Sequence, residues 1–197
     1  MIQVFRAFLA VVVVGIGLVV PAQACGCAGR VVDMLLPAEA VGPGFVVKET
    51  GTRTLEELAA TFADPKDTAI RLDAWGWRET VYRTYVQGSE TVQLSYYRFD
   101  SEHGAILALP FFLETRSAAL GLREVPSWAD PRTYTITRSV TGVVNGGSEY
   151  TTYKQIGSLL IRVTISAPVN VNNPSAEAGL AYGVNHILGE INHSFGI

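Results

Sequence analysis

The chain has 197 residues, of which 48% are hydrophobic and 17% charged, with a formal net charge of −3. That composition suits a packed core and excludes a disordered chain. A mildly acidic sequence with no Lys/Arg cluster also lacks the electrostatic footprint of a nucleic-acid binder, so no nucleic acid is expected as a partner.

The first signal in chain order is for export. Arg6 is followed by an unbroken apolar run over residues 8–20, then Pro21 and Ala22-Gln23-Ala24. A positive start, an apolar stretch and an A-x-A site, in that order, predict a signal peptide over residues 1–24. Its removal takes away Arg6 and leaves a mature charge of about −4. The run falls short of the roughly 20 apolar residues of a membrane span. Reading back to Ile2 lengthens it, so an uncleaved anchor stays open.

Cys25 comes next, followed by Gly26. A Cys at that place resembles the first mature residue of bacterial lipoproteins, and Cys25 is read as the lipidation site. An acylated Cys carrying several chains holds a protein at a membrane where one chain does not. Plain secretion is the alternative. Cys25 and Cys27 are the only cysteines. A bridge between residues two apart is strained, and the pair cannot supply a four-ligand zinc site. The domain is therefore expected to fold without disulfides.

Residues 25–44 read as a tether ending in Gly42-Pro43-Gly44. Its apolar patch Met34-Leu35-Leu36 suits docking onto the domain. Residues 45–197 then form a single globular domain, with no repeat and no second unit. Phe45-Val46-Val47 opens it as a short strand. A helix follows over 54–62, where Thr54 and Glu57 make a capping box and Leu55, Leu58, Ala59 and Phe62 mark one buried face. Asp64-Pro65 starts a second helix that Gly76 stops near Trp75. Strands over 80–87 and 91–99 flank Gly88-Ser89 as a hairpin.

Asp100 or Ser101 caps a long helix reaching Leu120 and ending at Gly121. Its stripe is Ile106, Leu109, Leu113 and Leu120, and Pro110 is expected to kink it. Leu107 and Phe111 lie off that stripe, as a partner-facing pair or the rim of the core. A loop over 123–132 precedes strands over 134–143, 149–156 and 159–166, with turns at Asn145-Gly146-Gly147 and Gly157-Ser158. Asn173-Pro174 opens a last helix whose stripe is Leu180, Val184, Ile187, Leu188, Ile191 and Phe195. The class is α+β: a mainly antiparallel sheet of about six strands packed by helices.

Three stretches, Ala74-Trp75-Gly76-Trp77-Arg78-Glu79, Tyr97-Arg98-Phe99 and Leu160-Ile161-Arg162-Val163-Thr164, together with the order of elements, resemble small bacterial lipoproteins with a PsbP-like α/β/α sandwich. The resemblance spans about residues 45–195. It implies a binding or accessory role, by analogy of fold.

Chemistry is thinly marked. There is no phosphate loop, no G-x-G-x-x-G after a strand, no G-x-S-x-G and no H-E-x-x-H. No catalytic residue, cofactor or metal is therefore assigned. His186, Glu190 and His193 share one helix face, but it lies opposite the apolar stripe and reads as a solvated back. Trp75 and Trp77 bracket Gly76 and are candidates to wall a ligand cleft, or to plug the core. Tyr96 and Arg98 share a face of one strand, as do Arg83 and Tyr85, and Arg162 and Thr164, of others. If these align, they form an Arg/Tyr/Thr surface for an acidic group or a partner. The binding candidates are thus Tyr96, Arg98, Arg162, Trp75 and Trp77.

The expected function is an exported, lipid-anchored, non-catalytic binding or accessory domain at the cell envelope. Its expected partners are the membrane, through the N-terminus, and a protein or small ligand. The alternatives are a carrier of an apolar ligand, with a cavity beneath the long helix, and a small hydrolase with a dispersed site.

Overall fold

The computed structural model describes residues 31–125, 136–144, 147–168 and 174–197. The export segment, Cys25, Cys27, the turn residues Asn145 and Gly146, and Asn173 lie outside them. Among the described residues no helix is long and apolar enough to cross a membrane.

Among the described residues seven strands make one sheet: β1 (Val46–Arg53), β2 (Trp77–Gln87), β3 (Glu90–Phe99), β4 (Arg123–Val125), β5 (Ile136–Val144), β6 (Gly147–Ile156) and β7 (Leu159–Ala167). Their order is β1-β2-β3-β7-β6-β5-β4, and every neighbouring pair is antiparallel. The helices are α1 (Ala38–Val41), α2 (Leu55–Ala59), α3 (Pro65–Ala74), α4 (Glu102–Leu120) and α5 (Pro174–Phe195). The expected α+β class holds. The sheet gains a seventh strand, β4, inside the stretch read as a loop. Three residues are too few for a period of two to show in sequence.

The local signals placed the helix starts and the Gly121 stop, whereas α2 ends at Ala59, three residues short of the expected Phe62. The Thr54 side chain accepts from the Glu57 amide, and the Glu57 side chain accepts from the Thr54 amide. Asp64 caps α3 with Pro65 at its first position. Ser101 caps α4, and Gly121 ends it in the left-handed conformation (φ 63°). Gly104 in the first turn of α4 is needed for a close approach, because a Cβ there would lie 2.0 Å from the Trp75 carbonyl oxygen.

The buried stripe of α4 differs from the expected one. Ala105, Ala108, Leu109, Phe112 and Leu113 are buried, while Ile106 and Leu120 are half-buried. Two alanines let the helix come near the sheet, and Phe112 fills the space they leave. Its ring lies 4.6 Å from that of Tyr97 and 6.1 Å from that of Tyr153. Leu107 is exposed, but Phe111 stacks on Phe62 at 5.5 Å and meets Trp75 edge-on at 5.4 Å. Phe111 is therefore rim of the core, and the two residues do not form one exposed pair.

Helices cover both faces of the sheet. On one face α5 lays down Leu180, Val184, Ile187, Leu188 and Ile191 against Val81, Leu94, Tyr96, Ile161 and Val163. On the other, α4 and α2 bury Leu58, Leu109, Phe112 and Leu113 against Tyr97, Phe99, Tyr153 and Leu160. Residues 31–41, within the stretch read as tether, contribute Val31, Leu35, Leu36 and Val41 to the α5-side core. The docking expected of Leu35 and Leu36 thus occurs. Three side chains from the sheet fix it. The Tyr85 hydroxyl donates to the Leu36 carbonyl at 2.5 Å, Arg83 Nη1 donates to the same carbonyl at 3.0 Å, and the Tyr96 hydroxyl donates to Met34 at 3.1 Å.

Candidate functional site

Between the sheet, α2 and α4 lies a cleft of about 250 Å³, partly open to solvent. The end of β1 supplies Arg53, α2 supplies Leu58, and Thr61 and Phe62 follow it. α4 contributes Phe112, Thr115, Arg116 and Leu120, while Gln93, Tyr97, Tyr153 and Arg162 rise from β3, β6 and β7. Three guanidinium groups and several aromatic rings line this space, and among the described residues no Asp, Glu or His does.

Arg162 forms the floor. It is 9% exposed and stands opposite Ser95 on the neighbouring strand. Its Nη2 donates to Gln93 Oε1 and, at 3.2 Å, to Ser95 Oγ. Both partners are neutral. Its Nε has no hydrogen-bond acceptor among the described residues. Tyr97 turns its ring toward the guanidinium, 5.9 Å from centroid to Cζ. Burial pushes the Tyr153 phenol up to about 12, so near neutral pH it keeps its proton and can donate.

Arg116 comes from the last turns of α4 and is held from behind. Its Nε and Nη2 donate to Glu149 Oε1 at 2.9 and 2.6 Å. The same carboxylate oxygen accepts from Thr151 Oγ1 at 2.8 Å, and Thr151 and Thr164 hydroxyls are 2.9 Å apart. Glu149 is 4% exposed, so this pair is largely withdrawn from water. Arg53, at the mouth, lies over the Tyr82 ring at 5.0 Å.

Only Arg162 of the sequence candidates lines the cleft. Tyr96 and Arg162 do not share a surface, because Tyr96 pairs with Ile161 and Arg162 pairs with Ser95. Alternation along β7 therefore sends Arg162 and Thr164 to the α4 face while Tyr96 goes to the α5 face. The expected Arg/Tyr/Thr surface splits in two, and Thr164, expected outside, is buried. Arg98 sits at the surface, where its Nε meets Glu79 at 2.6 Å. Trp77 is 9% exposed and donates from Nε1 to Thr80 Oγ1 at 3.0 Å; Trp75 packs on Phe111.

Sequence reasoning missed Arg53, Arg116, Gln93, Tyr97 and Tyr153 as cleft residues. Arg116 carried a usable signal, as a lone cation in the last turns of a mostly apolar helix. For the others the strand order was needed first. His103, His186 and His193 are all exposed and away from the cleft. Among the described residues no group of three or more His, Cys, Asp or Glu side chains gathers as metal ligands.

No family model matches the chain, and comparison with curated proteins finds no match. Among solved structures, the extracellular domain of PknH from Mycobacterium tuberculosis is similar, with a TM-score of 0.52 at 10% identity. The match covers 82% of this chain and 94% of that one. An Rv0999 ortholog from Mycobacterium smegmatis matches over 76% of this chain and 90% of its own, with a TM-score of 0.32 at 10% identity. At this identity the likeness to the PknH domain is one of fold.

Proposed function

We propose that this chain is an extracytoplasmic, non-catalytic binding domain, held at the envelope membrane through Cys25, with the cleft beside α4 as its ligand site. The carrying observation is a buried cation, Arg162, on the floor of a partly open cleft. The lining offers guanidinium, amide, hydroxyl and aromatic groups, a set suited to recognition. Among the described residues its lining holds no group that titrates near neutrality to act as a general base. The export signal and the fold shared with an extracellular domain support the location.

The docked segment bears on the anchor. Cys25 precedes Val31, a docked residue at the start of the described segment, by six positions. At full extension that stretch reaches only about 20 Å. A lipid on Cys25 therefore keeps the domain close to the bilayer surface. Intact mass of protein taken from its native membrane tests this: cleavage before Cys25 plus acyl chains supports the anchor, and a bare chain in the soluble fraction rejects it.

A plugging substitution tests the ligand site. Thr61 lies exposed at the cleft mouth. Compounds that raise the melting temperature of the unaltered protein should do nothing to Thr61→Trp. Equal shifts in both proteins would place binding elsewhere and reject the cleft.

A further inference from the structure

Building on the reading of the cleft as a ligand site, we propose that its ligand is a small organic acid, whose anionic group pairs with Arg162 and whose apolar body lies against the aromatic wall. Arg162 lacks a paired counter-charge among the described residues. Arg162 is 9% exposed, yet its partners among the described residues are neutral: an amide, a hydroxyl and the Tyr153 phenol. A buried charge costs free energy unless an opposite charge accompanies it. Glu149, whose field reaches Arg162, bonds Arg116 instead. The face of Tyr97 offers only a partial negative charge.

The rest of the cleft agrees in sign and size. Arg53 also borders it, Arg116 borders it with its charge paired to Glu149 behind, and among the described residues no carboxylate lines it, so the local potential favours anions. An oxyanion matches the guanidinium fork, and protonated Tyr153 adds a donor. Phe62, Phe112 and Leu58 offer apolar contact for a ring or short chain. A volume of about 250 Å³ lies below the range for drug-sized ligands. The fit is therefore to a compact acid.

The test compares three probes that share a phenyl ring: benzoate, phenylphosphonate and neutral benzamide. The full-length protein carries ¹³C in its tyrosine rings, so that Tyr97 and Tyr153 report the cleft and exposed Tyr182 reports loose association. Both acids should shift Tyr97 and Tyr153 saturably and bind at least about tenfold more tightly than benzamide. The stronger of the two acids tells a carboxylate ligand from a phosphate-type one. Arg162→Gln should erase the preference over benzamide, Arg162→Lys should keep part of it, and Arg53→Gln should leave most of it.

If benzamide binds the cleft as tightly as benzoate, the acid is overturned while the cleft stands as the ligand site. If none of the probes moves Tyr97 or Tyr153, both readings fall. A preference that survives in Arg162→Gln overturns the role of Arg162. The comparison on the unaltered protein needs no variant, so it decides the charge question even if Arg162→Gln does not fold.

Discussion

Ser95 on β3 and Arg162 on β7 face each other across the sheet, and Arg162 Nη2 donates to Ser95 Oγ at 3.2 Å on the face covered by α4. This register places the cation beneath a helix instead of in solvent, and the cleft takes its character from it. It also ties Arg162 to neutral partners, so its charge remains available to a ligand.

Glu149 balances Arg116, and breaking that pair has two opposed effects. Glu149→Gln should cost about 2 kcal/mol of stability, because the charged hydrogen bonds lie in a mostly buried place. The same change loosens Arg116 and removes the nearby negative charge, so benzoate affinity should rise severalfold. Urea melts and titration of one variant check both, and a fall in affinity would contradict the charge argument.

Phe112 and Leu107 share α4 but not its environment. Phe112→Ala should cost about 3–5 kcal/mol, since the ring is 2% exposed among Tyr97, Tyr153 and Phe62. Leu107→Ser, at an exposed site, should change stability by less than about 0.5 kcal/mol. Denaturant unfolding of both variants separates core from surface on one helix.

Tyr85 clamps the N-terminal segment through the Leu36 carbonyl. Tyr85→Phe should cost about 1 kcal/mol, because Arg83 still donates to that carbonyl. Arg83→Met removes the second donor and also the bond to Thr50 Oγ1 at 2.9 Å. Hydrogen exchange over residues 31–41 should then quicken while β3 and β7 stay protected. Uniform loss of protection would mean the segment is part of the global folding unit.

Base should unfold the protein through its buried phenols. Burial raises Tyr85 and Tyr153 from 10.0 to about 12 and raises Tyr96 in the same direction. The unfolded chain gives up these protons first, so the native state binds more protons between the two values. Stability is therefore complete below pH 10.0 and falls as pH rises toward about 12. Phenolate absorbance should appear together with loss of the folded circular-dichroism signal. Titration of these phenols with the fold intact would contradict their burial.

Sequence reasoning reached the local features and stopped at the register. The Thr54/Glu57 box, the Asp64-Pro65 start, the Gly121 stop and the hairpin at Gly88 each depend on a few adjacent residues, and each was legible. The alternation of β7 was also legible, but Arg162 and Thr164 read as solvent-facing because polar residues usually are. Helices cover both faces of this sheet, so polarity no longer told inside from outside. The pairing of Ser95 with Arg162 and of Tyr96 with Ile161 depends on β3 lying beside β7, a contact between residues more than 60 positions apart. The docking of Leu35 and Leu36 was visible as an apolar patch, whereas the hydroxyl and guanidinium donors that hold their carbonyls were not.

The most direct test of the account is a crystal structure of the full chain grown with benzoate. The account predicts the carboxylate within about 3 Å of the Arg162 guanidinium, its ring against Phe62 and Phe112. An empty cleft at saturating benzoate, or benzoate bound with its ring inward and its carboxylate in solvent, would contradict it.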